Sequence, residues 1–417
     1  MDMSDEQIVG APTGGEPTGQ DADRTDAADA SRGPDGQTRG AFLKRAAVLG
    51  VGTAVTGSVL AACGGGGGAS TQAAAPAPSG AAAAKPNIAA KYKNKSIGVA
   101  LLTASDENTL SIKKWAEQAT KDADLNWSWK TVDTQASSSA AQEALNSFLT
   151  QKVDGIIDVA IGASTIEAQL KQAAEANVPV VGTYAFAEPD SSILQDYTLP
   201  PSVDASLLAH YMIMDLQNRY PSGKIQVGLL DFPLDLIQER RTAVKGLLAE
   251  NSRFEIVAEE FSVSPTNTEQ DATAKAKALM QSNPDLKAIW CNYPPIAVPA
   301  AAAVEQVGKT GEVQVYGHIA TSAGVEGLRG GNGAMTATSW VDWPYVGYML
   351  VDQLLEAMSG KTLNKQLSTL RPDPSIVFDS SNVETEVPKG TKAADWMFAG
   401  GTYRVQFLNE WNEKYGK

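Results

Sequence analysis

The sequence predicts an α/β protein of two similar lobes, each a parallel sheet with helices on both faces. Three observations predict it. From residue 97 onward, short apolar runs alternate with helix-length stretches of periodic apolar residues. The short runs are continuously apolar, as strands buried on both faces require. The pair Pro200–Pro201 then breaks the rhythm, which restarts behind it.

Taken in order, Ile97–Leu102 reads as a strand that ends in polar Thr103–Asn108. Leu110, Ile112, Trp115, Ala116 and Ala119 follow at helical spacing. Trp127–Val132 is a strand, Ser138–Gln151 a helix, Gly155–Ile161 a strand, Thr165–Ala176 a helix and Val178–Gly182 a strand. Behind the proline pair come a helix over Asp204–Arg219 and a strand over Ile225–Leu230. Helices over Leu236–Glu250, Thr268–Asn283 and Ile296–Val307 alternate with strands over Glu255–Phe261, Ala288–Cys291 and Val313–Tyr316. A short helix at Ala323–Gly330, a strand at Ala334–Ser339 and a long helix at Tyr345–Ser359 complete the set. The tail, Val377–Lys417, carries Trp396, Phe398, Tyr403, Phe407 and Trp411, a set expected to pack across the lobes.

The stretch ahead of the lobes has a different character. Lys44–Arg45 precede a run of apolar and small residues from Ala46 to Val59, which closes on Leu60-Ala61-Ala62-Cys63. This is the layout of a secretory signal, too short and wrongly flanked for a membrane span. The last four residues resemble the lipobox of bacterial lipoproteins, which implies that Cys63 is acylated and becomes the mature N-terminus. Each buried acyl methylene contributes roughly 0.8 kcal/mol, so several chains hold a soluble body on a bilayer. Thr38-Arg39-Gly40-Ala41-Phe42-Leu43-Lys44 resembles a twin-arginine export motif, with Gly40 where the second Arg belongs. The expected organisation is a leader over 1–62 and a Gly/Ala/Pro-rich tether over 63–93. A first lobe follows from 94–199 and 341–368, and a second from 200–340 and 369–417.

Composition excludes several classes. The net charge is −14, which argues against a nucleic-acid partner. With Cys63 assigned to lipid, Cys291 stands alone and no disulfide framework exists. With two histidines and one thiol, a zinc site would have to be built mostly from carboxylates, against the metal's preference for nitrogen and sulfur. Val307-Gly308-Lys309-Thr310 echoes the end of a phosphate-binding loop, but it closes a helix instead of opening one, so Gly308 reads as a C-cap. Neither a Gly-x-Ser-x-Gly elbow nor His-Glu-x-x-His is present, so a hydrolase has no motif to stand on, and no cofactor is expected.

Several segments together resemble the type I periplasmic solute-binding proteins of ABC importers, in their ribose-binding-like branch. They are Lys95-Ser96-Ile97-Gly98-Val99, Lys113–Ala119, Val153-Asp154-Gly155-Ile156-Ile157, Ala173–Val181 and Asn283–Ile289. The resemblance runs from about Lys93 to Lys365. It implies two Rossmann-like lobes joined by a three-segment hinge, with the ligand in the cleft between them. Loops at the carboxyl ends of parallel strands converge at such a place. It further implies a receptor without catalytic function that hands its solute to an ABC permease. A monomer is expected, anchored outside the cytoplasm to the cell membrane by its lipid. The same fold could equally present ligand to a membrane kinase or chemoreceptor.

The candidate ligand residues are those that follow each strand. Asp106 and Asn108 come after the first strand, where a helix N-cap is as good a reading of the acid. Tyr184 follows the fourth, where sugar binders of this branch often carry Asp-Arg. In the second lobe Gln238, Arg240 and Arg241 open a helix, and Arg241 is favoured as the family's ligand arginine. Asn292 and Tyr293 follow one strand and His318 another. Trp340 and Asp342 lie at an expected crossing, with Trp343 read as hinge packing. The set is richer in aromatics and poorer in carboxylates than a ribose site. It suits a small neutral sugar or polyol, with a less polar solute such as a nucleoside or aromatic as the alternative.

Overall fold

The structure is a computed structural model that describes residues 86–185, 193, 195–196, 201–234, 237–264, 267–360, 376–401 and 403–416, without the side chains of 259–261. All belong to one compact unit, Gln72–Lys417. The leader, Cys63 and most of the tether lie outside the described residues.

The first lobe runs β1 (Ser96–Leu101), α1 (Glu107–Asp122), β2 (Ser128–Asp133), α2 (Ser138–Thr150), β3 (Gly155–Val159), α3 (Glu167–Glu175), β4 (Val180–Thr183) and β5 (Gln195–Asp196). Its sheet has the order β2-β1-β3-β4-β5 and every pairing is parallel. Apolar clusters fill both faces: Ile97, Val99 and Ile157 on one, Ala100, Ile156 and Phe148 on the other. That two-sided burial is why these strands read as unbroken apolar runs.

The second lobe runs α4 (Pro201–Arg219), β6 (Ile225–Asp231), α5 (Gln238–Ala249), β7 (Phe254–Ser262), α6 (Thr268–Ser282), β8 (Leu286–Cys291), α7 (Pro294–Gln306), β9 (Gln314–Gly317), α8 (Ser322–Glu326) and β10 (Met335–Trp340). Its sheet has the order β11-β10-β9-β8-β6-β7, where β11 (Ile376–Asp379) pairs antiparallel with β10 and the rest are parallel. Gly308 follows α7 at φ +73°, the left-handed C-cap expected of it.

From β10 the chain returns to the first lobe as α9 (Trp343–Met358). It packs so closely on α1 that a Cβ at Gly347 would lie 2.7 Å from the Ala116 nitrogen. After β11, two short helices, α10 (Val383–Glu386) and α11 (Ala393–Met397), stay with the second lobe. The last helix, α12 (Tyr403–Tyr415), crosses back and buries Phe407, Leu408 and Trp411 against α9.

Two expected boundaries are corrected by these contacts. The tail does not stay with the second lobe to residue 417, because α12 belongs to the first-lobe core. The chain around residues 398–401 therefore forms a fourth link, beside the three of the expected hinge. Order also begins before residue 94: Ile88 is fully buried and bridges Gly416, and Tyr92 is buried beside Tyr415. Leu110, which shares the helical spacing of the α1 core, is instead exposed.

Candidate functional site

In both sheets the strand order reverses next to the first strand, between β1 and β3 and between β6 and β8. Loops diverge at such points and leave a crevice at the strand carboxyl ends. The two crevices face one another. Between them lies a cavity with about 70 Å³ of water-accessible space, lined from both lobes. The first lobe contributes Leu102, Asp106, Asn108, Thr109, Val159, Thr183, Tyr184 and Trp343 among others. The second contributes Leu234, Ile237, Arg240, Tyr293, Pro294 and Ile319. A broader groove continues outward past Ser105, Gln135, Phe232 and Thr321.

The backbone is strained at this cavity. Ala160, Tyr184 and Ile319 all follow strand ends and have φ of +64°, +53° and +55°. For a β-branched residue such as Ile319 that conformation is a rare outlier. Residues held this way cost about 1–3 kcal/mol each and gather at ligand sites.

The lobes also touch directly. The Ser322 Oγ donates to the Glu107 carboxylate at 2.8 Å, and the Ser322 backbone N–H donates to the same group. Asn108 Nδ2 donates to the Ala320 carbonyl at 3.4 Å. Each of these bonds joins the start of α1 to the β9–α8 loop.

Of the residues singled out in the sequence, Asp106, Asn108, Tyr184 and Tyr293 line the cavity. Asp106 is also the N-cap of α1. It accepts from the Asn108 and Thr109 N–H groups at 3.2 and 3.3 Å and from Thr109 Oγ1 at 2.9 Å. Burial pushes its carboxyl above the usual range, against those hydrogen bonds. Tyr184 packs on Trp343, ring centres 5.6 Å apart, and Tyr293 stacks on Phe232 at 4.5 Å.

The remaining five are placed elsewhere. Arg241 turns aside and donates to Asp231 at 2.9 Å, while its neighbour Arg240 enters the cavity lining. Asn292 is fully buried and brackets the Phe232 backbone, accepting from its N–H at 2.7 Å and donating to its carbonyl at 3.3 Å. His318 is buried behind the cavity with Nε2 2.7 Å from Asp204 Oδ2. Trp340 packs on Trp396 and Phe378 in the second-lobe core. Asp342 caps α9 by accepting from the Tyr345 N–H at 3.1 Å. The indole that reaches the cavity is Trp343, the reverse of the expected assignment.

Two of these shifts have signals in the sequence. Arg240, Val244 and Leu248 recur every four residues and are the buried face of α5, so helical periodicity selects Arg240 over Arg241. Trp343 opens α9 ahead of Pro344, at the first turn, where a side chain faces the strand ends. Nothing local marks Trp340, because its partners Phe378 and Trp396 arrive from a distant segment.

Behind the cavity, Arg240 Nη2 lies 3.7 Å from Asp204 Oδ2, and Arg240 Nη1 donates to the Asn292 carbonyl at 3.0 Å. Burial works to raise the Asp204 carboxyl, but His318 and Arg240 hold it below the usual range. Burial depresses both the His318 imidazole and the Arg240 guanidinium. Asp204 thus serves as a fixed anion that positions Arg240 against the cavity.

The sequence matches the family model described as a periplasmic binding protein domain over residues 88–362. The chain belongs to the periplasmic binding protein family. Solved structures agree on the type I, two-lobed fold of this family. One is an ABC transporter solute-binding protein from Agrobacterium vitis with bound allitol. It is 20% identical over 70% of this chain and 98% of that one, with a TM-score of 0.62. A second is the Actinobacillus succinogenes solute-binding protein with bound D-allose, 18% identical over 70% and 100% of the two chains, TM-score 0.62. A third is the 5-methylthioribose transporter solute-binding protein of Thermotoga lettingae, 17% identical over 78% and 98%, TM-score 0.64. No curated relative matches the sequence. In this chain the strained loops and the inter-lobe hydrogen bonds converge on the cleft between the lobes. Among the described residues no helix is long and apolar enough to cross a membrane.

Proposed function

We propose that this periplasmic binding protein is an extracytoplasmic receptor that encloses a small neutral sugar or polyol between its lobes and delivers it to an ABC permease. It is a binder and carries out no chemistry on its solute. The observation that supports this reading most is the cavity lined by both lobes, with Asp106, Asn108 and Arg240 offering hydrogen bonds and Tyr184, Tyr293 and Trp343 offering ring faces. Ring faces cover the C–H side of a sugar while polar groups fix its hydroxyls. Solved structures of the same fold with bound allitol and D-allose favour a solute of this class. Closure around the solute shifts an open–closed equilibrium, and the permease accepts the closed form. Lipid attachment at Cys63 would keep the receptor beside the permease.

The test is a thermal-shift screen over sugars, polyols, nucleosides and small aromatics, since a solute bound only by the native state raises the melting point. A sugar or polyol hit supports the reading, and a hit confined to nucleosides or aromatics overturns the solute class. Arg240→Lys should weaken binding of the hit by about 30-fold, because a point charge cannot replace the planar fork held by Asp204 and Asn292. Calorimetry checks that figure. Palmitate labelling that Cys63→Ser abolishes supports the anchor, and labelling that persists overturns it.

A further inference from the structure

We infer that, within the sugar class proposed above, the solute is a ring with few hydroxyls and an apolar substituent, not a fully hydroxylated hexose or polyol. This rests on that reading and narrows it.

The hydrogen-bonding capacity of the cavity is small and unevenly committed. Five of the lining residues are polar, Asp106, Asn108, Thr109, Thr183 and Arg240, and Tyr184 and Tyr293 each add a phenolic hydroxyl. Asp106 already accepts three hydrogen bonds as the cap of α1, which leaves about one of a carboxylate's four acceptor sites. The Thr109 hydroxyl proton is one of those three, so Thr109 has no donor to spare. Three atoms on the lining residues are buried without a hydrogen-bond partner among the described residues. They are the acceptor Asn108 Oδ1 and the donors Arg240 Nε–H and Trp343 Nε1–H. All three residues are at least nine-tenths buried, at 3, 2 and 4% exposure. They come from opposite lobes, so one solute held between them can satisfy all three.

With the Tyr293 hydroxyl, which can donate once and accept once, the demand is for about three acceptors and two or three donors. A hexose or hexitol presents more hydroxyls than this, and each one buried without a partner carries a desolvation penalty. The rest of the wall is apolar or aromatic: Leu102, Ile112, Val159, Ala160, Leu234, Ile237, Pro294 and Ile319 beside the three rings. Against such a wall a methylene is worth about fourfold in affinity, and a hydroxyl in its place gains nothing. A ring sugar whose exocyclic carbon carries a hydrogen, an alkyl or a thioether in place of a hydroxyl meets both requirements.

Isothermal calorimetry on the full chain tests this with D-ribose, 5-deoxy-D-ribose, 5-methylthio-D-ribose, D-allose and allitol. The expected result is that the 5-methylthio sugar binds at least tenfold tighter than D-ribose, with the 5-deoxy sugar between them and allose and allitol weakest. Trp343→Phe keeps the ring and removes the donor, and should cost the best binder several-fold in affinity. If D-ribose, allose or allitol binds as tightly as the 5-methylthio sugar, this inference is overturned while the sugar-receptor reading stands. If every sugar in the panel is silent on a chain shown to be folded, both are overturned together.

Discussion

The first lobe is met in two places, by the second lobe at the cleft and by the C-terminal segment at a seam along α1 and α9, and the two are built oppositely. At the cleft the meeting is sparse: Glu107 with Ser322, Asn108 with Ala320, strained loops, and polar atoms without partners. At the C-terminal seam it is dense. Trp115 Nε1 donates to the Phe398 carbonyl, Tyr403 donates to Asp342, and Arg404 and Tyr348 both donate to Asp122. Gly400, at φ +76°, lets the strand of chain lie flat on the Trp115 ring, where a Cβ would come within 2.6 Å. Contacts that are complete without a ligand hold in every state, whereas groups left incomplete are the ones a solute can complete. The difference assigns the seam to stability and the cleft to binding.

The largest effect should come from breaking the seam. Trp411 is fully buried, donates to Asp352 at 2.8 Å and stacks on Tyr348. Trp411→Ala is expected to lose about 4 kcal/mol of stability in urea unfolding, as truncation of a buried indole generally does. Solute affinity, measured well below the lowered melting point, should change less than threefold. An affinity that collapses with the seam would show that the two meeting places are not separable.

A smaller effect sharpens the cleft side. The Glu107–Ser322 bonds cross between lobes and exist only when these approach. Hydrogen bonds to a charged group are worth about 1.5–3 kcal/mol, part of which water returns when the lobes part. Glu107→Ala should therefore weaken solute binding by about tenfold, mostly through faster release, with the melting point of the solute-free protein nearly unchanged. Glu107→Gln, which keeps an acceptor, should fall between. Stopped-flow release rates that match the unmodified protein would remove Glu107 from closure.

How much of this was legible in the sequence depends on the range of the contacts. The βα alternation is local, and the parallel core of both sheets follows from it, whereas β5 and the antiparallel β11 lie in stretches without that alternation. Asp106, Asn108, Tyr184 and Tyr293 were legible because a residue just after a parallel strand can only lie at its carboxyl end. The family resemblance points to Arg241, but the four-residue repeat of Arg240 with Val244 and Leu248 points to Arg240. His318 and Asn292 do sit at strand ends, but each is consumed by a partner far along the chain, Asp204 for one and the Phe232 backbone for the other. The fourth link is of the same kind. An amphipathic helix in a tail does not say which lobe it joins, and only the ring cluster of Tyr348, Phe407 and Trp411 decides it.

A third effect is a dependence on pH, and it separates seam from cleft by its sign and its place. Asp342 caps α9 and accepts from Tyr403 at 3.0 Å, yet burial pushes its carboxyl up to about 6. In the unfolded chain an aspartate titrates near 3.9. Between these values the folded protein keeps a proton that the unfolded chain has released, so stability falls as pH rises through that window and the loss is complete above it. Asp342→Asn retains an acceptor and cannot titrate. Its stability relative to the unmodified protein should rise from pH 4 to pH 6 and stay level from there to pH 8, in urea midpoints taken at each pH. Parallel midpoints across the whole range would mean that Asp342 is not held in the buried, neutral-favouring site described. Because the groups that cover and hydrogen-bond it, Tyr403 and the start of α9, belong to the seam, the effect should persist unchanged when the cleft is filled with solute.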